Sequence, residues 1–119
     1  MNQEELKKRT RAFALAIIKL VERLPRGLVT DVIARQLVKS GTSVGANYRA
    51  ACRARSRAEF IAKMGVVEEE ADESAYWLEI LVDAGILARV DVDALLGEAD
   101  ELVAITVSSI QTARGHRRS

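Results

Sequence analysis

Five carboxylates fall within six consecutive residues in the second half of the chain: Glu68, Glu69, Glu70, Asp72 and Glu73. In a helical bundle, a di-iron site takes one Glu from each of two helices and a Glu-x-x-His motif from each of the other two. The chain has a single histidine, His116, and no Glu-x-x-His motif. We therefore expect no metal and no cofactor. Because no nucleophile has a base partner in the pattern, we also expect no catalytic residues and no enzyme activity.

A second set of side chains could hold phosphate groups: Lys7, Lys8, Arg9, Arg11, Lys19, Arg23, Arg49, Arg53 and Arg57. No aromatic residues alternate with these cations, and no nucleic-acid motif is present. The most that this pattern supports is contact with phosphate backbones that does not read sequence. Pairing within the protein or between its copies is the default expectation, because an antiparallel helical hairpin would bring Arg49 near Glu69 or Asp72. Exposed ion pairs of this kind stabilise by only ~0–1 kcal/mol each.

These two sets belong to a wider division of charge along the chain. Residues 1–57 contain 13 Lys/Arg and 4 Asp/Glu, a net charge of +9, whereas residues 58–119 contain 5 and 13, a net charge of −8. The opposite charges can be neutralised within one chain, between copies of it, or by a polyanion on the basic face.

The composition favours a single all-α domain over residues 1–119. Aromatic residues make up 4% of the chain and there is one proline, so the core must consist of Ala, Leu, Ile and Val. The lone Cys52 excludes an intramolecular disulfide. The first ten residues lack the apolar stretch of a signal peptide, and no apolar run approaches the ~20 residues of a membrane span. We therefore expect a cytoplasmic protein without a membrane partner.

Apolar spacing predicts four helices, at about residues 3–24, 28–54, 57–84 and 91–113, with a basic tail at 114–119. The first helix ends before Pro25 and Gly27. The third shows apolar spacings of four and three from Phe60 to Leu81. We predict that the third helix starts at a capping box. We predict that Asp91 is the N-cap of the fourth helix. The capping box consists of Ser56 and Glu59. Four long helices with short connections predict an antiparallel up-down-up-down four-helix bundle.

The second helix contains a run of small residues, from Ser40 to Gly45, that propensity alone would assign to a loop. The apolar stripe keeps its phase across this run, since Ile33 to Ser40 is seven residues and Ser40 to Val44 is four. We therefore favour one continuous helix whose small residues let a neighbouring backbone approach closely. The alternative is a loop between two short helices.

Two further predictions concern polar residues on the core side of the second helix and apolar residues that lie off the core stripes. The polar residues on or beside the core stripe of the second helix should hydrogen-bond locally or to the third helix and fix the register. They are Gln36, Ser40, Ser43 and Asn47. Apolar residues that lie off the main stripes, such as Ile18, Val66 and Tyr76, favour self-association.

Several segments together resemble one family of bacterial proteins. They are Gln36 to Asn47 (QLVKSGTSVGAN), Ser56-x-x-Glu59-Phe60-x-x-Lys63 and Glu70-x-x-Glu73-x-x-x-Trp77-Leu78, with Phe13, Leu20 and Leu24-Pro25 before them. Their order and spacing over about residues 10–110 resemble the 23S rRNA intervening sequence proteins. These small proteins were first noted as reading frames within intervening sequences of bacterial large-subunit ribosomal RNA genes.

The resemblance implies an antiparallel four-helix bundle, often assembled as a ring-shaped homopentamer, and gives no catalytic residues to carry over. It implies structural roles for Gln36, Ser40, Ser43, Asn47, Phe60, Glu70, Glu73 and Trp77. The accessory proteins of diversity-generating retroelements are related and bind nucleic acid and a reverse transcriptase through a basic surface. The family often has a glutamate two or three residues after the asparagine that matches Asn47, where this chain has Arg49 and Ala50.

We therefore expect a non-enzymatic, self-associating scaffold or adaptor that contacts RNA or DNA phosphates through its basic N-terminal half. One alternative is an adaptor that docks an acidic protein without nucleic acid. The other, least favoured, is a bundle that binds metal through the carboxylates of its third helix.

Overall fold

Four helices with the predicted order and connections form the computed structural model, which describes residues 1–115. They are α1 (Gln3–Glu22), α2 (Leu28–Cys52), α3 (Arg57–Asp83) and α4 (Arg89–Ala113). Each helix packs along the next one in the chain, and α1 also contacts α4 at the closing edge of the bundle. The predicted all-α antiparallel four-helix bundle is confirmed. His116 and the rest of the predicted tail beyond Gly115 lie outside the described residues.

Four of the eight helix ends differ from the predicted ends by one or two residues, and a hydrogen bond explains the difference at the start of α4. We predicted Asp91 as the N-cap of α4, but this helix begins at Arg89. The Asp91 carboxylate accepts a hydrogen bond of 2.9 Å from the backbone N–H of Ala88. A carboxylate at the third position of a helix reaches back to the cap residue in this way. Asp91 therefore belongs inside the helix that it helps to start.

The predicted capping box at the start of α3 is present, with one change of partner. The Ser56 hydroxyl accepts a hydrogen bond of 3.0 Å from the Glu59 backbone N–H. The Glu59 carboxylate in turn accepts one from the N–H of Arg55, one residue earlier than in a standard capping box. At the other end Gly85 has a φ of +77°, and the Ile86 N–H reaches back into the last turn of α3. This left-handed glycine ends the helix because other residues adopt that conformation at a cost.

The core follows the predicted apolar stripes closely. In α3, the residues buried as predicted are Met64, Val67, Ala71, Ser74, Leu78 and Leu81. Phe60 and Leu24 are only partly buried against this core. Val29 continues the spacing of the buried Ile33 toward the start of α2, but it is 63% exposed. Val29 lies in the first turn of α2, at the end of the bundle, where the stripe continues but no neighbouring helix covers it.

The small-residue run of α2 is continuous helix, so the alternative of a loop is wrong. The hydroxyls in this run donate to carbonyl oxygens of the preceding turn, Ser43 to Lys39 at 2.6 Å and Thr42 to Val38 at 2.7 Å. These bonds satisfy the hydroxyls within the helix. The glycines let α1 approach, since a Cβ at Gly41 would lie 3.0 Å from Ile17 Cγ1.

Ser40, Ser43 and Asn47 pair locally or with α3, as expected. Ser74 Oγ donates a hydrogen bond of 3.0 Å to Ser40 Oγ, and both residues are fully buried. Asn47 Nδ2 donates to the carbonyl oxygen of Ser43 at 2.9 Å. Gln36 is partly buried on the same helix. The Ser40–Ser74 bond joins α2 and α3 at one point along their length and so marks their register.

Within residues 1–115, none of the helices combines the length and the apolar character that crossing a membrane requires.

Candidate nucleic-acid interface

A groove of about 530 Å³ runs between α1 and α2 on the basic side of the bundle. It is lined by Lys7, Lys8, Thr10, Arg11, Ala14, Thr42, Gly45, Ala46 and Arg49. Four of these nine residues are basic and none is acidic. We call this feature the α1–α2 groove.

Small residues at the helix–helix contact form the floor of the α1–α2 groove. A Cβ at Gly45 would lie only 3.2 Å from Thr10 Oγ1, so the two helices approach closely at this point. Ala14 and Ala46 continue the floor with methyl groups. The Thr10 hydroxyl donates to the carbonyl oxygen of Leu6 at 2.9 Å and is therefore satisfied within its own helix. The floor thus presents mainly apolar surface beneath a basic rim.

The cations of the rim are poorly neutralised by the protein itself. Lys7 has an exposed partner, Glu4, at 3.4 Å. Within residues 1–115, no salt bridge engages Lys8, Arg11 or Arg49. Like charges on facing helices repel, and an anion seated between them would relieve that repulsion. The rim is therefore suited to an anionic ligand.

Arg9 does not belong to this surface, although we predicted it to. Its guanidinium Nε lies 2.6 Å from Glu98 Oε2, and one Nη lies 2.7 Å from Glu98 Oε1. The same Nη contacts Glu101 at 2.6 Å. The hydrogen bond with Glu98 raises the pKa of Arg9 further above its ordinary value. Arg9 therefore joins α1 to α4 and is neutralised there.

The expected pairing of Arg49 with Glu69 or Asp72 is also wrong. The Ser40–Ser74 contact sets the α2–α3 register so that position 49 faces the first third of α3, at least a turn before Glu69. Its side chain instead lines the α1–α2 groove. The pairing was predicted from the hairpin of α2 and α3 alone and did not consider the α1 side of the helix.

The other predicted contact residues lie outside the groove. Lys19 and Arg23 are exposed near the end of α1, about 18 Å and about 24 Å along the helix from Lys7. Arg53 caps the end of α2 and Arg57 begins α3. All four side chains are exposed, and within the described residues none forms a salt bridge. They extend the basic character of the surface without sharing the groove.

A separate polar cluster lies between α2 and α3. Burial raises the pKa of the Glu70 carboxyl, and the neighbouring Glu73 carboxylate adds to the effect, whereas Ser43 and Lys39 oppose it. Trp77 Nε1 donates a hydrogen bond of 3.2 Å to Glu73 Oε1. These contacts link the residues of the family pattern to one another. In the described part of the chain, no three His, Cys, Asp or Glu side chains are placed to hold a metal ion.

Sequence reasoning found the rim of the α1–α2 groove but missed its floor. Thr42 and Gly45 belong to the run that was predicted to pack against a neighbouring helix, and the spacing did not single out Thr10, Ala14 or Ala46. The signal was present as Gly41 and Gly45 four residues apart, a spacing that marks close helix contact. A close contact of this kind between helices carrying long basic residues leaves a cleft beside it.

The fold and this groove together define an antiparallel four-helix bundle with a basic cleft between its first two helices. A family model described as "23S rRNA-intervening sequence protein" matches residues 2–108. The chain therefore belongs to this family, and the resemblance found in its sequence is confirmed.

A solved structure gives the same result. It is the crystal structure of a protein of unknown function from the S23 ribosomal protein family of Bacteroides thetaiotaomicron. The two proteins are 34% identical and superpose with a TM-score of 0.79. The match covers 88% of this chain and 97% of the other. Comparison with curated proteins gave no match.

Proposed function

We propose that this protein is a non-enzymatic, self-associating scaffold or adaptor of the cytoplasm that contacts nucleic-acid phosphates without reading their sequence. The observation that carries this proposal is the α1–α2 groove, where three cations have no carboxylate partner within residues 1–115. Arg9, only two residues from Arg11, is fully engaged with α4. The protein thus neutralises Arg9 within the bundle and leaves the nearby Lys8 and Arg11 available to a polyanion.

Phosphate contact has a direct test in the salt dependence of binding. We expect labelled RNA and DNA of unrelated sequences to bind with similar micromolar affinity at low salt. For three phosphate contacts with a single strand, we expect binding to weaken about 20-fold as salt rises from about 50 to 200 mM. Absence of binding at the lower salt concentration would reject nucleic-acid contact.

Exposed apolar side chains support the self-association part of the proposal. Large apolar residues that are half exposed or more include Leu15, Leu28, Val29, Val32, Tyr76 and Val90. Three of them lie in the first two turns of α2, where they form a local apolar surface. A homopentamer is the assembly that the family resemblance implies. Light scattering on a size-exclusion column should give a multiple of the chain mass, and the mass of one chain at micromolar concentration would reject self-association.

An acidic protein surface, such as one on a reverse transcriptase, could occupy the same groove, because a row of carboxylates would also neutralise it. Capture of partners from cells with and without nuclease separates the two cases. A partner held through nucleic acid should be lost after nuclease treatment. A partner that survives this treatment would favour protein docking instead.

A further inference from the structure

We infer that the α1–α2 groove binds a single nucleic-acid strand in preference to a duplex, with one nucleotide seated between the two helices. This inference rests on the proposed nucleic-acid contact and specifies its ligand. It is carried by the shape and lining of the groove, which differ from those of a flat basic surface.

The size of the groove is the first argument. Its volume of about 530 Å³ falls within the roughly 300–1,000 Å³ of clefts that enclose small ligands. A duplex keeps its bases stacked inside, so it can offer only phosphates to the rim. It would leave the floor empty. An unpaired strand can place a sugar and base in the groove while its phosphates remain at the rim.

The lining of the groove supplies a surface for each part of a nucleotide. Arg11 on α1 and Arg49 on α2 lie on opposite walls, and their guanidinium groups can bind phosphate or stack on a base. Ala14 and Ala46 offer apolar contact to the sugar and to the face of the base. This combination of cation and apolar floor fits a nucleotide better than it fits a bare phosphate.

The floor also explains why binding would not depend on sequence. The Thr10 hydroxyl donates to the Leu6 carbonyl oxygen, and the Thr42 hydroxyl donates to the Val38 carbonyl oxygen. Neither hydroxyl hydrogen is left to read the edge of a base. The groove therefore recognises a nucleotide by shape and charge, as sequence-tolerant single-strand sites do.

The test fills the groove without changing any charge. Ala46→Leu replaces a methyl group by an isobutyl group at the exposed floor, and Ala12→Leu makes the same change at an exposed position of α1 that does not line the groove. Fluorescence anisotropy measures binding of labelled oligo(dT) and of the same strand annealed to oligo(dA), at low salt. Circular dichroism and thermal unfolding establish that both variants remain folded.

We expect the wild-type protein to bind the single strand about fivefold or more tightly than the duplex. Ala46→Leu should weaken single-strand binding by about the same factor and leave duplex binding nearly unchanged, and Ala12→Leu should change neither. Equal weakening by the two variants, or no effect of Ala46→Leu, would overturn the inference but leave the proposed phosphate contact intact. If free thymidine monophosphate bound as tightly as the oligonucleotide in a competition experiment, the groove would be a site for a single nucleotide and not for a strand. No binding of either probe by the wild type would reject the inference together with the proposed nucleic-acid contact.

Discussion

Gly41 of α2 lies directly against Ile17 of α1. A Cβ added to Gly41 would stand 3.0 Å from Ile17 Cγ1 and 3.3 Å from its Cβ. The second atom is close to the backbone and cannot swing aside. This contact fixes the distance between the two helices whose surfaces form the α1–α2 groove.

Replacement of Gly41 by alanine should therefore destabilise the protein even though alanine favours helix. We expect a net loss of about 1 kcal/mol in the free energy of unfolding, because overpacking of the core outweighs the gain in propensity. Gly97→Ala is the matched control, since nothing lies within 4 Å of a Cβ there. It should stabilise by about 0.5–1 kcal/mol. Urea unfolding measures both, and stabilisation by Gly41→Ala would show that α1 and α2 are further apart than described.

The buried pair of serines predicts non-additive mutational effects. Ser74→Ala removes the donor to Ser40, and we expect it to cost about 1 kcal/mol. Ser40→Ala should cost a similar amount or less, because Ser74 Oγ also lies 2.9 Å from the carbonyl oxygen of Glu70. The double variant should cost less than the sum of the two, since replacing both polar partners leaves neither unsatisfied. A double-mutant cycle in urea tests this expectation, and strict additivity would show that the hydroxyls do not interact.

Replacement of Arg9 should lower stability with little effect on binding, whereas replacement of Arg11 should weaken binding with little effect on stability. Arg9→Met leaves Glu98, whose side chain is 25% exposed, without its partner. We expect a loss of about 1–2 kcal/mol in unfolding free energy, with little change in nucleic-acid binding. Arg11→Met should leave stability within about 0.5 kcal/mol and weaken binding. The two variants carry the same change in net charge, so each controls for the other. If both weakened binding equally, long-range charge and not the groove would govern it.

Replacement of Glu70 should change the stability of the protein by an amount that depends on pH. Because burial raises the pKa of its carboxyl above the ordinary 4.5, the ionised form is disfavoured in the folded protein. The protonated form stabilises the fold below the unfolded pKa, and this stabilisation is lost as the pH rises through the folded pKa. Glu70→Gln should therefore raise the urea midpoint at pH 7, and its advantage should shrink as the pH falls toward 4.5. Glu69→Gln removes the same charge at an exposed position of α3. An equal gain from both variants at every pH would contradict the role of burial.

The fold could be predicted from the sequence because each buried stripe has a period that only a helix satisfies. Met64, Val67 and Ala71 are buried where their spacing placed them. The continuity of α2 could also be predicted, because the stripe keeps its phase through Gly41. These properties depend on neighbours along the chain, which the sequence lists directly.

The surroundings of Arg9 and Arg49 could not be predicted, because they depend on which helices flank each side of the bundle. An up-down-up-down bundle can turn in either of two senses, and the sense decides which helix faces each flank. Arg9 and Arg11 are about 200° apart around α1. One therefore meets the glutamates of α4 and the other faces the groove. Spacing within one helix contains no record of that choice.

Two charge-matched triple variants test whether the cations of the α1–α2 groove bind nucleic acid. Lys8→Gln, Arg11→Gln and Arg49→Gln alter the groove. Lys19→Gln, Arg23→Gln and Arg53→Gln remove the same three charges from exposed positions outside it.

Binding of a labelled single strand is measured by anisotropy for both variants over a range of salt concentrations. We expect the groove variant to bind about tenfold more weakly or worse, with a salt slope smaller by about 2. The other variant should lose less than about threefold. Equal losses and equal slopes would contradict the account, because they would show that overall charge and not the groove holds the strand.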